Sequence, residues 1–117
     1  MAAPEAEQVV VRFPDAGARV LATRARDFGR GLQGCTFLPE GYGMLFDFGE
    51  DAAHGLWMRG VHVVLDAVFF SDRVVAVATM VPMTDDVHRA ASRYVLEVPG
   101  GWAERNGVRV GQRVVFG

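Results

Sequence analysis

Short apolar segments, some of them with alternating polar residues, recur along the chain and are separated by glycine, proline or aspartate. Alternation with a period of two places successive side chains on opposite faces, as in a half-buried β-strand. The pattern predicts an opening hairpin in which strands 8–13 and 19–23 flank the turn residues Pro14 to Gly17. Further strands, rich in valine and aromatic residues, are predicted at 42–48, 56–58, 63–71, 73–81, 94–98 and 113–116.

Two short helices are predicted between these strands. After the potential N-cap Thr23, apolar residues recur at i, i+3 and i+7, at Ala25, Phe28 and Leu32. This spacing predicts a helix that ends near Gly31 or Gly34. A second helix is predicted over 100–106 and ends at Gly107, although an Asn-Gly pair there is also typical of a hairpin turn.

Six or more strands with one or two short helices predict a mainly β fold, a compact antiparallel β sandwich or barrel. There are too few helices to cover both faces of a parallel sheet. The chain has 117 residues, of which 50% are hydrophobic and 22% charged, a size and balance typical of one self-sufficient domain over 1–117. Residues 1–7 are predicted to form a flexible N-terminal tail.

The charge balance indicates no attraction to a polyanion. Twelve basic residues, all arginine, stand against fourteen acidic ones, for a formal net charge of −2. We therefore predict no nucleic-acid partner. No apolar stretch approaches the roughly 18 residues of a membrane span, and the N-terminus does not resemble a signal peptide. We expect a cytoplasmic monomer or weak dimer, or a secreted or periplasmic protein if a signal has been removed.

Asp66 is the most informative polar residue, because it interrupts the apolar run from Val63 to Phe70. An unpartnered carboxylate in a buried strand costs several kcal/mol. We therefore expect Asp66 to accept backbone N–H bonds from a turn or to pair with Arg59 or Arg73. The alternative is a functional carboxylate at a binding or catalytic site.

The favoured functional hypothesis is a non-catalytic domain that binds a small ligand or a protein partner. Its predicted ligand-binding residues combine an aromatic ring, a cation, an anion and adaptable apolar side chains: Trp57, Arg59, Asp66, Met44 and Pro82. Two alternatives stay open. The first is a hydrolase that uses Asp66 with a nearby histidine, and the second is an interaction module that offers an edge strand to another chain.

Other sequence features carry less weight. Gly29 to Gly34 reads G-x-G-x-x-G, but a dinucleotide site needs a strand before this motif and a helix after it. His54, His62 and His88 lack metal-ligand spacing, even with Asp66 added. Cys35 has no evident histidine partner. We predict no catalytic residue, no metal and no cofactor.

The order of several short motifs resembles domain of unknown function 192, a family of uncharacterised small bacterial and archaeal proteins. The resemblance covers about residues 18–116 and rests on Gly31-Leu32, Gly41 to Phe48, Leu56 to Arg59, Leu65 to Phe70, Arg73 to Val75, Pro82, Tyr94 to Glu97, and Gly101. It implies a compact β fold of jelly-roll-like topology and no established activity.

The chain departs from the family pattern in two places. Gln33-Gly34-Cys35 follows Gly-Leu where the family usually has Met-Phe-Arg, and Arg59-Gly60-Val61 follows Trp-Met where it usually has Lys-Asn-Thr. An amide and a hydroxyl are therefore missing at residues 60 and 61. Any family function that used these two groups is lost or changed in this chain.

Overall fold

Seven strands form one curled sheet in the computed structural model, which describes residues 7–84 and 87–116. Across the sheet their order is β5-β4-β6-β3-β2-β1-β7, and the sheet forms a half-barrel. The predicted mainly β fold is confirmed. The elements are β1 Gln8–Phe13, β2 Ala18–Arg24, β3 Tyr42–Leu56, β4 Leu65–Phe70, β5 Val74–Met80, β6 His88–Pro99, α1 Trp102–Arg105 and β7 Val115–Phe116.

Turns that contain proline, aspartate or glycine lie where the sequence predicts them. The β1–β2 hairpin turns at Pro14 to Gly17, where Gly17 has a φ of 66°, and β4 and β5 pair across Ser71 and Asp72. Helix α1 is followed by Gly107 at a φ of 69°, which confirms the predicted stop. Of the expected N-terminal tail only Glu7 is among the described residues, and its carbonyl accepts the Arg24 N–H at 2.8 Å.

The predicted helix after Thr23 is wrong, because residues 25–41 cross from β2 to β3 as turns and irregular backbone. Gly31 and Gly34 have φ values of 49° and 82°, which a right-handed helix does not allow. Ala25 and Leu32 are apolar because they pack against one face of the sheet. Their helical spacing therefore reflects tertiary burial.

The predicted strands 42–48 and 56–58 are wrong as separate elements, because β3 runs from Tyr42 to Leu56 and ends there, which leaves residues 57 and 58 outside any strand. The pairing of β3 with β6 shifts between Asp47 and Ala52, a bulge that allows the strand to continue past Gly49. Strand β6 is longer and β7 shorter than predicted. The all-antiparallel expectation fails at one pair, since β2 and β3 run parallel on either side of the crossover.

Both faces of the sheet are buried by apolar residues. One face holds a core whose members include Trp102, Phe13, Val20, Leu45, Leu96 and Val114. The other face carries a second core, and its members include Phe46, Met58, Val61, Leu65, Phe69 and Val95. Every residue of β4 is therefore buried, and alternate residues of β6 face different cores.

The two edge strands of the sheet are joined at one end. Arg73, immediately before β5, forms an isolated bridge with Arg113, immediately before β7. Beside this bridge, Val74 donates to the Gln112 carbonyl and accepts from the Gly111 N–H, both at 2.8 Å. These bonds hold the sheet in its curl.

We expect Gly43→Ala to destabilise the fold by about 1–3 kcal/mol through overpacking. Gly43 is buried in β3, and a Cβ there would lie 2.5 Å from the Glu97 carbonyl oxygen, a backbone atom of the central strand. Urea unfolding would measure the loss, with Gly29→Ala as control, because a Cβ at Gly29 meets only ordinary contact at 3.5 Å. Equal stabilities of the two variants would contradict this account.

Candidate functional site

A buried glutamate lies on the central strand of the sheet. Glu97 in β6 is flanked by Met44 of β3 and Ala67 of β4 in the pairing register. It shares the face of Val95, so its side chain points to the second core. Only 5% of Glu97 is exposed to solvent.

The Glu97 carboxyl group lacks a hydrogen-bond donor among residues 7–84 and 87–116. Gly31 lies close to this carboxyl group, since a Cβ atom added at Gly31 would be 3.8 Å from Glu97 Oε1. The Gly31 N–H nevertheless donates to the Asp27 carbonyl, at 3.0 Å. Burial without a compensating donor raises the pKa of Glu97 from 4.5 to about 7. The group is therefore close to half protonated at neutral pH.

Glu97 lies at a small cleft, which we call the Glu97 cleft. Its volume is about 50 Å³, room for a few water molecules. The lining comprises residues 28–32 of the crossover, Phe46, residues 55–57, Arg59, Val61 and Glu97. Aromatic and aliphatic walls around one buried carboxyl group are typical of a site for a small group of a ligand.

The walls of the cleft come from segments that meet only in the folded chain. The crossover places Phe28 against Phe46, with ring centroids 5.5 Å apart in an edge-to-face arrangement. After the end of β3, the next two side chains differ in exposure: Trp57 is 43% exposed, and Met58 is buried. The Arg59 guanidinium lies over the Trp57 ring at 5.3 Å. Two of the predicted ligand-binding residues, Trp57 and Arg59, therefore line this cleft.

Asp66, in contrast, lines a separate shallow depression next to α1. Its carboxylate accepts hydrogen bonds from Thr79 Oγ1 at 2.9 Å, the Gly101 N–H at 3.0 Å and the Ala103 N–H at 3.1 Å. Asp66 thus satisfies N–H groups that the start of a helix leaves without partners. Of the two structural roles predicted for Asp66, the structure has the one in which backbone N–H groups of a turn donate to its carboxylate.

The remaining predicted ligand-binding residues lie outside the lining of the Glu97 cleft. Met44 is half-buried and packs against the second core, and Pro82 is half-buried in the loop after β5. His54 stacks on Phe48 with ring centroids 3.9 Å apart. Across residues 7–84 and 87–116, no three histidine, cysteine, aspartate or glutamate side chains gather as a metal site requires.

The sequence profile of domain of unknown function 192, described as "Uncharacterized ACR", matches residues 15–116. The chain belongs to this family. Segments from four motifs of the domain of unknown function 192 pattern meet at the Glu97 cleft: Gly31-Leu32, Phe46, Leu56 to Arg59, and Glu97.

The two departures from the pattern of domain of unknown function 192 also contact each other. The Gly34 N–H donates to the Gly60 carbonyl at 2.7 Å. Gly60 has a φ of 70°, and a Cβ there would lie 3.0 Å from the Gln33 side chain. Gln33 thus occupies space next to the position where the pattern has asparagine.

Two solved structures have the same fold over nearly the whole chain. The first is a protein from Sinorhizobium meliloti 1021 that is described as a proposed transcription regulator. It is 25% identical to this chain, and its structure matches with a TM-score of 0.85 over 99% of this chain and 97% of the Sinorhizobium meliloti chain. A protein of unknown function from Novosphingobium aromaticivorans DSM 12444 is 29% identical, with a TM-score of 0.82 and coverages of 97% and 93%. No curated protein matches significantly. Among the described residues, no helix has the length and apolar character to cross a membrane.

Sequence reasoning did not select Glu97 as a site residue, although a usable signal was present. Glu97 interrupts the apolar run 94–98 in the way that Asp66 interrupts its own strand. The same argument about the cost of burial applies to both carboxyl groups. Phe28 and Gly31 were assigned to a helix, and that interpretation concealed their place at the cleft.

Proposed function

We propose that this domain binds a small organic molecule in the Glu97 cleft, with the Glu97 carboxyl group as its polar anchor. The observation that carries the proposal is a carboxyl group, 5% exposed, that borders a cleft and has no donor in the described part of the chain. Buried polar groups in proteins nearly always have partners. A ligand with a complementary polar group would displace the water that the cleft admits and become the partner of the carboxyl group.

The lining combines aromatic and aliphatic side chains with glycine backbone, two arginines and Glu97. Phe28, Phe46 and Trp57 offer aromatic surface, and Leu32 and Val61 add aliphatic surface. Burial of an apolar fragment against such walls provides most of the affinity in small-molecule sites, whereas one or two polar groups fix orientation. The partial exposure of Trp57 places it where it can cover a bound molecule.

The Sinorhizobium meliloti neighbour is described as a proposed transcription regulator. The net charge of −2 gives this chain no general attraction to DNA. A small-molecule site in a domain of this fold would suit the sensing of a ligand, with nucleic acid contacted by another protein.

We expect a ligand found in a screen of amines, carboxylic acids, sugars and nucleotides to raise the melting temperature by about 10 °C at 100 times its Kd. Glu97→Gln and Trp57→Ala should each abolish that shift, because they remove the anchor and a wall. Glu50→Gln is the matched control, since Glu50 is exposed and lies outside the Glu97 cleft. Shifts that survive in both cleft variants, or a screen without any shift, would contradict the proposal.

A further inference from the structure

The Glu97 carboxyl group has no cationic partner among residues 7–84 and 87–116. Burial is the cause of its raised pKa, and no basic side chain counteracts it. Two arginines, Arg30 and Arg59, are the other ionisable residues of the cleft lining. Arg59 lies over Trp57, and the backbone of Arg30 binds Asp27 Oδ1 at 3.1 Å. In the described part of the chain, neither guanidinium forms an ion pair with the Glu97 carboxylate.

Aromatic side chains share the cleft with the Glu97 carboxyl group. Phe28, Phe46 and Trp57 line the same cleft as Glu97. The faces of aromatic rings attract cations, and this attraction strengthens where water is excluded. A buried carboxylate beside aromatic side chains attracts an organic cation, whereas Arg30 and Arg59 in the same lining would attract an anion. The charge of the ligand is therefore the property to test.

The cleft has room for a small cationic group. Its volume of about 50 Å³ is enough for one ammonium or guanidinium group. The rest of such a ligand would extend through the open mouth, past the partly exposed Trp57.

We infer that the ligand of the Glu97 cleft carries a primary ammonium or guanidinium group that forms an ion pair with the Glu97 carboxylate among the aromatic walls. This inference rests on the proposed function and specifies its ligand class. The cation binds the ionised carboxyl group, so a protonated Glu97 releases its proton to solvent when the ion pair forms. At pH 7 about half a proton is released for each ligand bound.

The test compares n-butylammonium with 1-butanol and propionate, which have the same number of heavy atoms but are neutral and anionic. We expect n-butylammonium to bind at least tenfold more tightly than either, measured from the amide shifts of Gly31 and Glu97 in NMR titrations. Calorimetry in two buffers of different ionisation enthalpy should show proton release. Glu97→Gln should weaken n-butylammonium binding at least tenfold and remove the proton release, whereas Glu50→Gln should change neither.

Each other result overturns the inference. Tighter binding of 1-butanol or propionate, or proton uptake on binding, would mean that protonated Glu97 acts as a donor to a neutral or anionic ligand; the proposed function would then stand without the cation. Absence of binding by n-butylammonium at the Gly31 and Glu97 amides would also reject the cation. The proposed function itself fails only if the broader ligand screen gives no shift that depends on Glu97.

Discussion

Asp66→Ala is expected to lower the free energy of unfolding by about 3–5 kcal/mol, a large share of the 5–15 kcal/mol typical of a domain. The carboxylate of Asp66 accepts three hydrogen bonds, two of them from the N–H groups of Gly101 and Ala103. Removal of the acceptor leaves these buried donors without a partner, and each unsatisfied donor costs about 1–3 kcal/mol. Urea unfolding of the two proteins measures the difference.

Thr79→Val is the matched control for this prediction. It keeps the side-chain volume and removes only the third hydrogen bond, from Thr79 Oγ1 to Asp66 at 2.9 Å. We expect a loss of about 1 kcal/mol. A loss below about 1 kcal/mol for Asp66→Ala would contradict the role of Asp66 as the link between β4 and α1.

Glu97→Gln is expected to remove a pH dependence of stability worth about 3 kcal/mol. The folded-state pKa of Glu97 is about 7 and its ordinary value is 4.5, a difference that corresponds to about 3 kcal/mol. Because the pKa is raised, the folded state binds the extra proton. The contribution is fully present below pH 4.5 and is lost as the pH rises through 7. Between pH 4 and pH 8 the free energy of unfolding of the natural protein should therefore fall by about 3 kcal/mol more than that of the variant.

The measurement is the difference in unfolding free energy between the natural protein and Glu97→Gln at several pH values from 4 to 8. Asp15 and Asp47 have pKa values lowered by hydrogen bonds from Arg113 and Arg93. Their effect on stability falls at low pH and cancels in this difference, since both proteins carry them. A difference that is constant across the range would show that Glu97 titrates normally. Glu50→Gln, at an exposed residue outside the Glu97 cleft, is the control variant.

Sequence patterns predicted the parts of the fold that depend on neighbours in the chain. The turn at Pro14 to Gly17 and the end of α1 at Gly107 are fixed by local backbone chemistry, which the residue types report directly. The continuation of β3 past Gly49 was missed, because glycine and acidic residues usually mark a turn. Here they form a bulge whose partner strand lies about forty residues further along the chain.

The candidate site was only partly predictable for the same physical reason. Trp57 and Arg59 are close in sequence and reach the cleft together, so one local motif indicated both. Glu97 joins them through the pairing of β6 with β3, and the crossover joins them by packing on the second core. Asp66 was grouped with them on chemical type alone. Strand β4 places Asp66 at a different depression, where its carboxylate accepts a hydrogen bond from the Ala103 N–H of α1.

The crossover that walls the Glu97 cleft also differs from the sheet in its resistance to local opening. Residues 31–35 are held by short-range bonds, such as Gly31 to Asp27 and Cys35 to Leu32, and by single bonds to the loop 60–62. Glu97, in contrast, belongs to a strand paired on both sides. Regions with few long-range bonds open at a lower free energy than central strands. Ligand binding is therefore linked to local opening of the crossover. A ligand that contacts both the crossover and Glu97 would protect the amide hydrogens of the crossover from exchange with solvent.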